Sequence, residues 1–323
     1  MDKITERIER QAGIPGLAAL LAERLSPTDL QSLLLAVNRL RSARIRPADV
    51  LTGYAADRFV RPSPVSPVVM LRWDQIAFAH LPPGFEPIAL APVCPLGTSA
   101  AVAAIDPNWA VATIRNTEVV SDSTNVLALE AALRRRALLR ANPKSAQPVH
   151  LAASHRLLRG QHYDSPLAFA HFGAFALCSA GRDRGTLRFE LSTLDLHIRF
   201  YLETLHAFLG PGVPLYLSVT DLAPAPRLAR LEDELLVPIR AAFDNVVCGF
   251  DPDRQHGRTY YANLCFHIHA GHPTHGKLEL VDGGDVDWTQ AYLSNAKERL
   301  VISGIGSERL CSAFGDTPPT GPT

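Results

Sequence analysis

The stretch from Arg254 to Leu310 reads RQHGRTYYANLCFHIHAGHPTHGKLELVDGGDVDWTQAYLSNAKERLVISGIGSERL. Tyr260 to Ile268 is aromatic and β-branched enough to predict a strand, with Lys277 to Val281 as its returning partner. Paired glycines supply positive φ cheaply, so Asp282-Gly283-Gly284-Asp285 reads as a tight turn. Helical spacing follows from Trp288 to Arg299, then a short apolar strand from Leu300 to Ile305. That strand runs into Gly304-Ile305-Gly306-Ser307-Glu308-Arg309, which places two glycines, an acid and an arginine at the mouth of the next helix.

Working outward, 323 residues suffice for one large core with a smaller helical appendage. Apolar content of 47% and charged content of 20% are those of an ordinary globular protein. Lys plus Arg equals Asp plus Glu at 32 each, so no basic field attracts nucleic acid. The five cysteines lack metal-ligand spacing and stand in apolar contexts, which fits buried thiols in a reducing cytoplasm. No signal-peptide h-region and no membrane-length apolar run is visible, so a soluble chain is expected.

Residues 1–67 read as a helical region closed by a proline-rich linker. A cap packed on the core is the simplest role for these helices; an appended domain or a partner surface is the alternative. Residues 68–315 form the core, and 316–323 a disordered tail. Val68 to Leu81 reads as a helix, followed by a strand over Pro87 to Leu90. Ala100 to Ile105 and Trp109 to Ile114 read as two short strands around Asp106-Pro107-Asn108. Asp122 and Thr124 precede a helix from Val126 to about Arg140, where capping accounts for them as well as any ligand does. His150 to Gln161 and Leu167 to Ala180 read as strands joined by the loop His162-Tyr163-Asp164-Ser165-Pro166. Helices over Leu194 to Leu209 and Leu228 to Phe243 flank a strand over Pro214 to Val219. His267, His269, His272 and His275 look like a metal cluster, yet no cysteine or carboxylate completes a familiar signature, so solvated histidines are the simpler reading.

These elements, taken together, resemble the core of class II aminoacyl-tRNA synthetases, most closely the histidyl branch. Tyr260-Tyr261 with Phe266 matches that branch's YYTGxxF, Gly283-Gly284 with Asp287 its GGRYD, and Gly304 to Arg309 its motif 3. Arg159-Gly160-Gln161 and Phe169 to Gly173 are similar to motif 2, with Arg156 as a rival arginine. The segment around Asp122 and Thr124 resembles the loop LRPEGT, and the helix after residue 67 is loosely similar to motif 1, which builds the family's dimer interface. The resemblance implies an α+β fold with a mainly antiparallel sheet flanked by helices, a homodimer, and ATP with Mg²⁺.

It implies that Arg159 clamps the α-phosphate and Arg309 the γ-phosphate, with Arg156, Gln161, Phe169 and Gly306 around the nucleotide and Glu308 on Mg²⁺. Asp122, Thr124, His256, Tyr260 and Tyr261 would line the acid's pocket, Asp122 meeting its amino group. The function implied is adenylation of an amino acid or similar acid for a non-tRNA acceptor, such as a protein partner or carrier. The alternative is an amino-acid sensor similar to the regulatory subunit of ATP phosphoribosyltransferase. His256 stands where RGLDYY has its arginine, a loss that Arg254 or Arg258 could replace. The fourteen residues after Arg309 are too few for the branch's anticodon-binding domain of roughly 100 residues. That shortage argues against tRNA charging.

Overall fold

A computed structural model describes residues 2–161, 167–225 and 227–315. The loop 162–166 and the tail 316–323 lie outside the described residues. The N-terminal helices are α1 (Lys3–Ala12), α2 (Leu17–Ala19, continuing to Arg24), α3 (Pro27–Ser42) and α4 (Pro47–Ala56). Asp2 Oδ1 accepts from the amides of Ile4 and Thr5 to start α1, and Ser26 Oγ accepts from Asp29 N to start α3. These helices do not form the buried cap expected of them. Leu40, Val50 and Leu51 are each more than 60% exposed.

The core begins with α5 (Pro67–Ala79), β1 (Phe85–Pro87), β2 (Val93–Pro95) and α6 (Thr98–Ala103). It continues through β3 (Thr117–Val119), α7 (Ser123–Ala141), β4 (Val149–Leu158) and β5 (His171–Arg182) to α8 (Arg188–Leu209) and β6 (Leu215–Asp221). After α9 (Leu228–Leu231) and α10 (Val237–Ala242) come β7 (Val246–Phe250), β8 (Leu264–His272), β9 (Gly276–Val286), α11 (Trp288–Leu293), β10 (Glu298–Ile305) and α12 (Ser307–Phe314). Eight strands form one sheet in the order β1-β4-β5-β10-β9-β8-β6-β7. Only the edge pairs β1/β4 and β6/β7 are parallel; the other five pairings are antiparallel. The fold is the α+β class expected.

Side-chain alternation along β5 sorts the two layers. Phe175 and Leu177 enter a core with Trp73 of α5, Phe200, Tyr201 and Phe208 of α8 and Leu310 of α12. Ala176, Cys178 and Ala180 face the other way, toward Leu127, Ala128 and Ala131 of α7 and Trp288 of α11. Buried polar groups pin both layers. Arg135 of α7 grips Glu298 of β10 through two hydrogen bonds of 2.7 and 2.9 Å, with both side chains fully buried. His197 bridges Ser179 Oγ and Ser303 Oγ at 2.9 and 2.8 Å. No described helix is long and apolar enough to cross a membrane. All five cysteines are free, and four are buried.

Several expectations change. Gly283 and Gly284 lie inside β9, not in a turn. A Cβ on Gly283 would come within 2.6 Å of Phe266 and Ser303, and one on Gly284 within 2.4 Å of Leu264 O, so close packing demands these glycines. Tyr260 and Tyr261 lie in the turn that precedes β8, since Asp285 takes the amides of Asn263 and Leu264 and starts the strand there. Residues 100–105 are mostly α6, because the Glu118 carboxylate accepts from Gly97 N and Ser99 N and nucleates a helix from alanines. Residues 109–114 form no strand: Trp109 ends a 3-10 turn over Pro107–Trp109, and Ala112 makes an isolated bridge to Glu118. The helix after Trp288 stops at Leu293, and Ser294 adopts φ 48° before β10. The strand expected over Pro87 to Leu90 lies instead at Phe85–Pro87, and β7 carries no strand expectation from sequence.

Candidate functional site

β4 and β10 both run antiparallel to β5, so their C-terminal ends share one edge of the sheet. Arg159 follows β4 at that edge, and Arg309 stands in the first turn of α12 just past β10. Both sequence-predicted arginines therefore leave the sheet at the same end, two strands apart.

On the α7 face, the acid-pocket residues assemble. Asp122 caps α7: its Oδ1 accepts from Thr124 N at 2.9 Å and Thr124 Oγ1 at 2.7 Å. Its other oxygen takes Arg159 Nη2 at 3.1 Å, while Arg159 Nε donates to Ser121 O at 2.7 Å. So capping and ion pairing occur together at Asp122, one oxygen for each. The ring beneath the Arg159 guanidinium is Phe172, with its centroid at 5.5 Å, rather than Phe169. Phe169 and Gln161 are half-buried beside the undescribed loop. Tyr260 packs edge-on against Tyr261 and Trp288, with centroids at 5.1 and 5.3 Å. Burial, then the Asp122 carboxylate, raises the Tyr260 phenol, so it stays a neutral hydrogen-bonding group.

His256 is exposed and contributes its main-chain carbonyl, which accepts from Arg254 Nε at 2.6 Å. The expected place for its imidazole in the pocket is therefore corrected. Arg254 enters instead: its guanidinium lies 5.3 Å from the Tyr261 centroid and donates to Asp282 Oδ1 at 2.8 Å. Arg254 Nη1 is buried without a hydrogen-bond partner among the described residues. A buried guanidinium nitrogen left unpaired is costly, so the position suits an acceptor from outside the chain. Arg258, the other candidate replacement, is exposed.

Glu308 turns to the opposite face. It is buried, and its Oε2 accepts from Gly173 N at 2.8 Å and Arg156 Nη2 at 3.1 Å, while Oε1 meets Ser63 Oγ. With its oxygens taken, Glu308 does not fit the Mg²⁺ role assigned to it, and Arg156 does not share a face with Arg159. The linker is anchored here too: His171 Nε2 lies 2.6 Å from Arg61 O, and Arg58 Nη2 donates to Gly160 O at 3.3 Å. Arg309 Nη1 donates to Glu279 O at 3.2 Å. Gly304 and Gly306 differ from the β9 glycines. The nearest atoms a Cβ would meet are at 3.8 and 3.6 Å, which is ordinary contact, so the fold does not require glycine at either position.

The histidine run divides. His267, His269 and Glu279 bring their ligand atoms within 4.8 Å of one another on the Asp282 side of the sheet. Burial lowers His267 to about 4 and also lowers His269, so both rings are neutral at ordinary pH. His272 and His275 pack with their rings tilted and centroids 4.6 Å apart, and His272 accepts from the amides of Thr274 and His275, a turn-making role. The carboxylate at Glu279 was missed from sequence because a β-bulge, invisible in composition, brings it opposite His269.

No protein-family model matches the sequence, and no curated protein is similar to it in sequence. Solved structures are similar in fold. A histidyl-tRNA synthetase from S. aureus aligns over 77% of this chain and 65% of its own, at 13% identity and a TM-score of 0.55. An ATP phosphoribosyltransferase regulatory subunit/histidyl-tRNA synthetase from Bacillus halodurans aligns over 76% of this chain and 79% of its own, at 13% identity and a TM-score of 0.54. The histidyl-tRNA synthetase of Nostoc sp. aligns over 82% and 76%, at 12% identity and a TM-score of 0.51. The chain thus spans just under two thirds of the S. aureus protein.

Proposed function

We propose that this chain, whose core has the class II aminoacyl-tRNA synthetase fold, binds a small amino acid or similar carboxylic acid and activates it with ATP. The observation that carries this is the Asp122–Arg159 pair at 3.1 Å beside Tyr260, at the sheet edge that Arg309 shares. In this reading Asp122 trades Arg159 for the substrate's ammonium group, and the released guanidinium meets the α-phosphate. A carboxylate oxygen attacks the α-phosphorus, pyrophosphate leaves toward Arg309, and an acceptor nucleophile later displaces AMP from the acyl adenylate. Two fixed planar cations suit the charge that develops at phosphorus. ATP fits the chain's groups in two further ways: the Gly304–Gly306 backbone is open to close approach, and Arg254 Nη1 has no acceptor among the described residues. Mg²⁺ held through Glu308 does not fit. Any Mg²⁺ would arrive on the triphosphate.

The acceptor would be a non-tRNA molecule, and the setting the cytoplasm, where five free cysteines persist. A homodimer through α5 belongs to the same proposal, because Val68 and Leu71 stand 72% and 62% exposed on that helix.

A second reading, amino-acid sensing without catalysis, is favoured by one specific observation. Arg159 is already paired within the chain, to Asp122 at 3.1 Å and Ser121 O at 2.7 Å, which leaves its guanidinium engaged rather than open to a phosphate. ATP–pyrophosphate exchange across a panel of amino acids separates the two. Exchange with one acid, lost in Arg309→Ala, supports activation. Tight binding of one acid by calorimetry with no exchange gives the sensor, and neither binding nor exchange ends both.

A further inference from the structure

We propose that His267, His269 and Glu279 form a binding site for one divalent transition-metal ion, of which Zn²⁺ is the representative. This goes beyond the activation chemistry above and does not depend on it.

The geometry comes from the sheet. His267 and His269 are two apart on β8 and so present the same face, with their rings 5.6 Å apart. In a regular ladder, the residue of β9 opposite His269 would be Leu280. The register instead slips between Ile268 and His269, so that His267 still faces Asp282 while His269 faces Glu279. The extra residue, Leu280, buries itself in the core. The bulge thus exchanges an apolar residue for a carboxylate at the one position flanked by both imidazoles. Bulges recur where a side chain must be re-aimed at a site.

Two imidazoles and a carboxylate are a ligand set suited to borderline divalent ions. Metal–ligand distances of about 2.0–2.2 Å would separate the ligand atoms by roughly 3.5 Å. The observed 4.8 Å limit closes to that value by a small rotation of Glu279, whose side chain is 43% exposed. Among the described residues neither imidazole has a hydrogen-bond partner; His267 Nε2 has only longer approaches, 3.5 Å to Asp282 and 3.8 Å to Glu279. Three protein donors leave at least one coordination position open toward solvent, the arrangement of a site that takes an exogenous oxygen or nitrogen ligand.

The test is titration of the chelator-stripped full chain with Co²⁺, in the absence of ATP and amino acids. Visible d–d absorption is expected to saturate at one Co²⁺ per chain and to be displaced by Zn²⁺. Glu279→Gln should weaken Co²⁺ binding at least tenfold, and His267→Gln with His269→Gln should abolish the band. His272→Gln with His275→Gln should leave it unchanged. Because His267 is buried, the Glu279→Gln variant, with its thermal melt checked against the parent, carries the test if the double variant fails to fold. Absence of the band, its persistence in Glu279→Gln, or its loss only in the His272/His275 variant would each overturn the assignment. Failure here leaves ATP–pyrophosphate exchange untouched, so the two readings fall separately.

Discussion

Asp122 is where one side chain does two jobs. Asp122→Asn keeps the cap oxygen that takes Thr124 N at 2.9 Å but removes the charge facing Arg159. We expect its helix, and hence its melting temperature, to be nearly unchanged while the apparent affinity for the acid falls about 10- to 150-fold, measured by calorimetry. A charge-assisted pair that is lost costs about 1.5–3 kcal/mol or more. An equal fall in stability and affinity would mean that Asp122 is only a cap. His197 supplies a second prediction, through pH. Burial, then the neighbouring His150, pushes its imidazole down to about 3 from an ordinary 6.5. The unfolded chain therefore takes up a proton between these values that the folded chain refuses. Stability is full above pH 6.5 and is lost as pH falls from about 6.5 to about 3, at about 1.4 kcal/mol per pH unit for this one group. His197→Asn should flatten the fall of melting temperature over that window.

At the scale of elements, legibility followed whichever constraint was local. The start of α7 was readable because Asp122 satisfies a helix amide from two residues away. The end of β10 and the start of α12 were readable for a similar reason: Gly304 to Arg309 is a contiguous signature. What failed was non-local. Gly283 and Gly284 carry the same residue type a turn would need, but their cause is Phe266 across the ladder and Leu264 O, which no window of sequence displays. Sequence leaves Arg254 and Arg258 as equal candidates, since the burial of Arg254 under Tyr261 depends on the turn at Gly257. Glu308 went wrong because adjacency to Arg309 in sequence sends the two side chains to different faces of the sheet edge. The β9 reading is testable: Gly283→Ala should destabilise by about 1–3 kcal/mol through overpacking, read from the denaturant midpoint. A turn glycine at positive φ would instead be rescued by Asn, and Gly283→Asn should be worse than alanine. The Arg135–Glu298 clasp joins α7 to β10. Because both groups are fully buried, removing either alone should cost about 3–5 kcal/mol, whereas Arg135→Met with Glu298→Leu should recover most of it.

Across the whole molecule, apolar surface is distributed unevenly. Strands β5, β8 and β10 bury nearly everything, while α3, α4 and the outer side of α5 leave Leu40, Leu51, Val68 and Leu71 in solvent. Packing explains the inner side of α5, where Trp73 and Ala77 are fully buried and Trp73 Nε1 donates to Ser307 Oγ at 2.9 Å. It does not explain an outer side that is equally apolar, since exposed leucine and valine at helical spacing give a lone chain nothing. A second copy meeting α5 would cover them at no cost to the core. We expect the chain to sediment as a dimer at micromolar concentration, and Val68→Glu with Leu71→Glu to shift it to a monomer. Neither side chain contributes to the core of its own chain, so the unfolding midpoint extrapolated to low protein concentration should match the parent, while its dependence on concentration disappears. A parent chain that sediments as a monomer at every concentration would leave α5 an unpartnered face and remove the dimer from the proposal, without touching the site at Asp122 and Arg159.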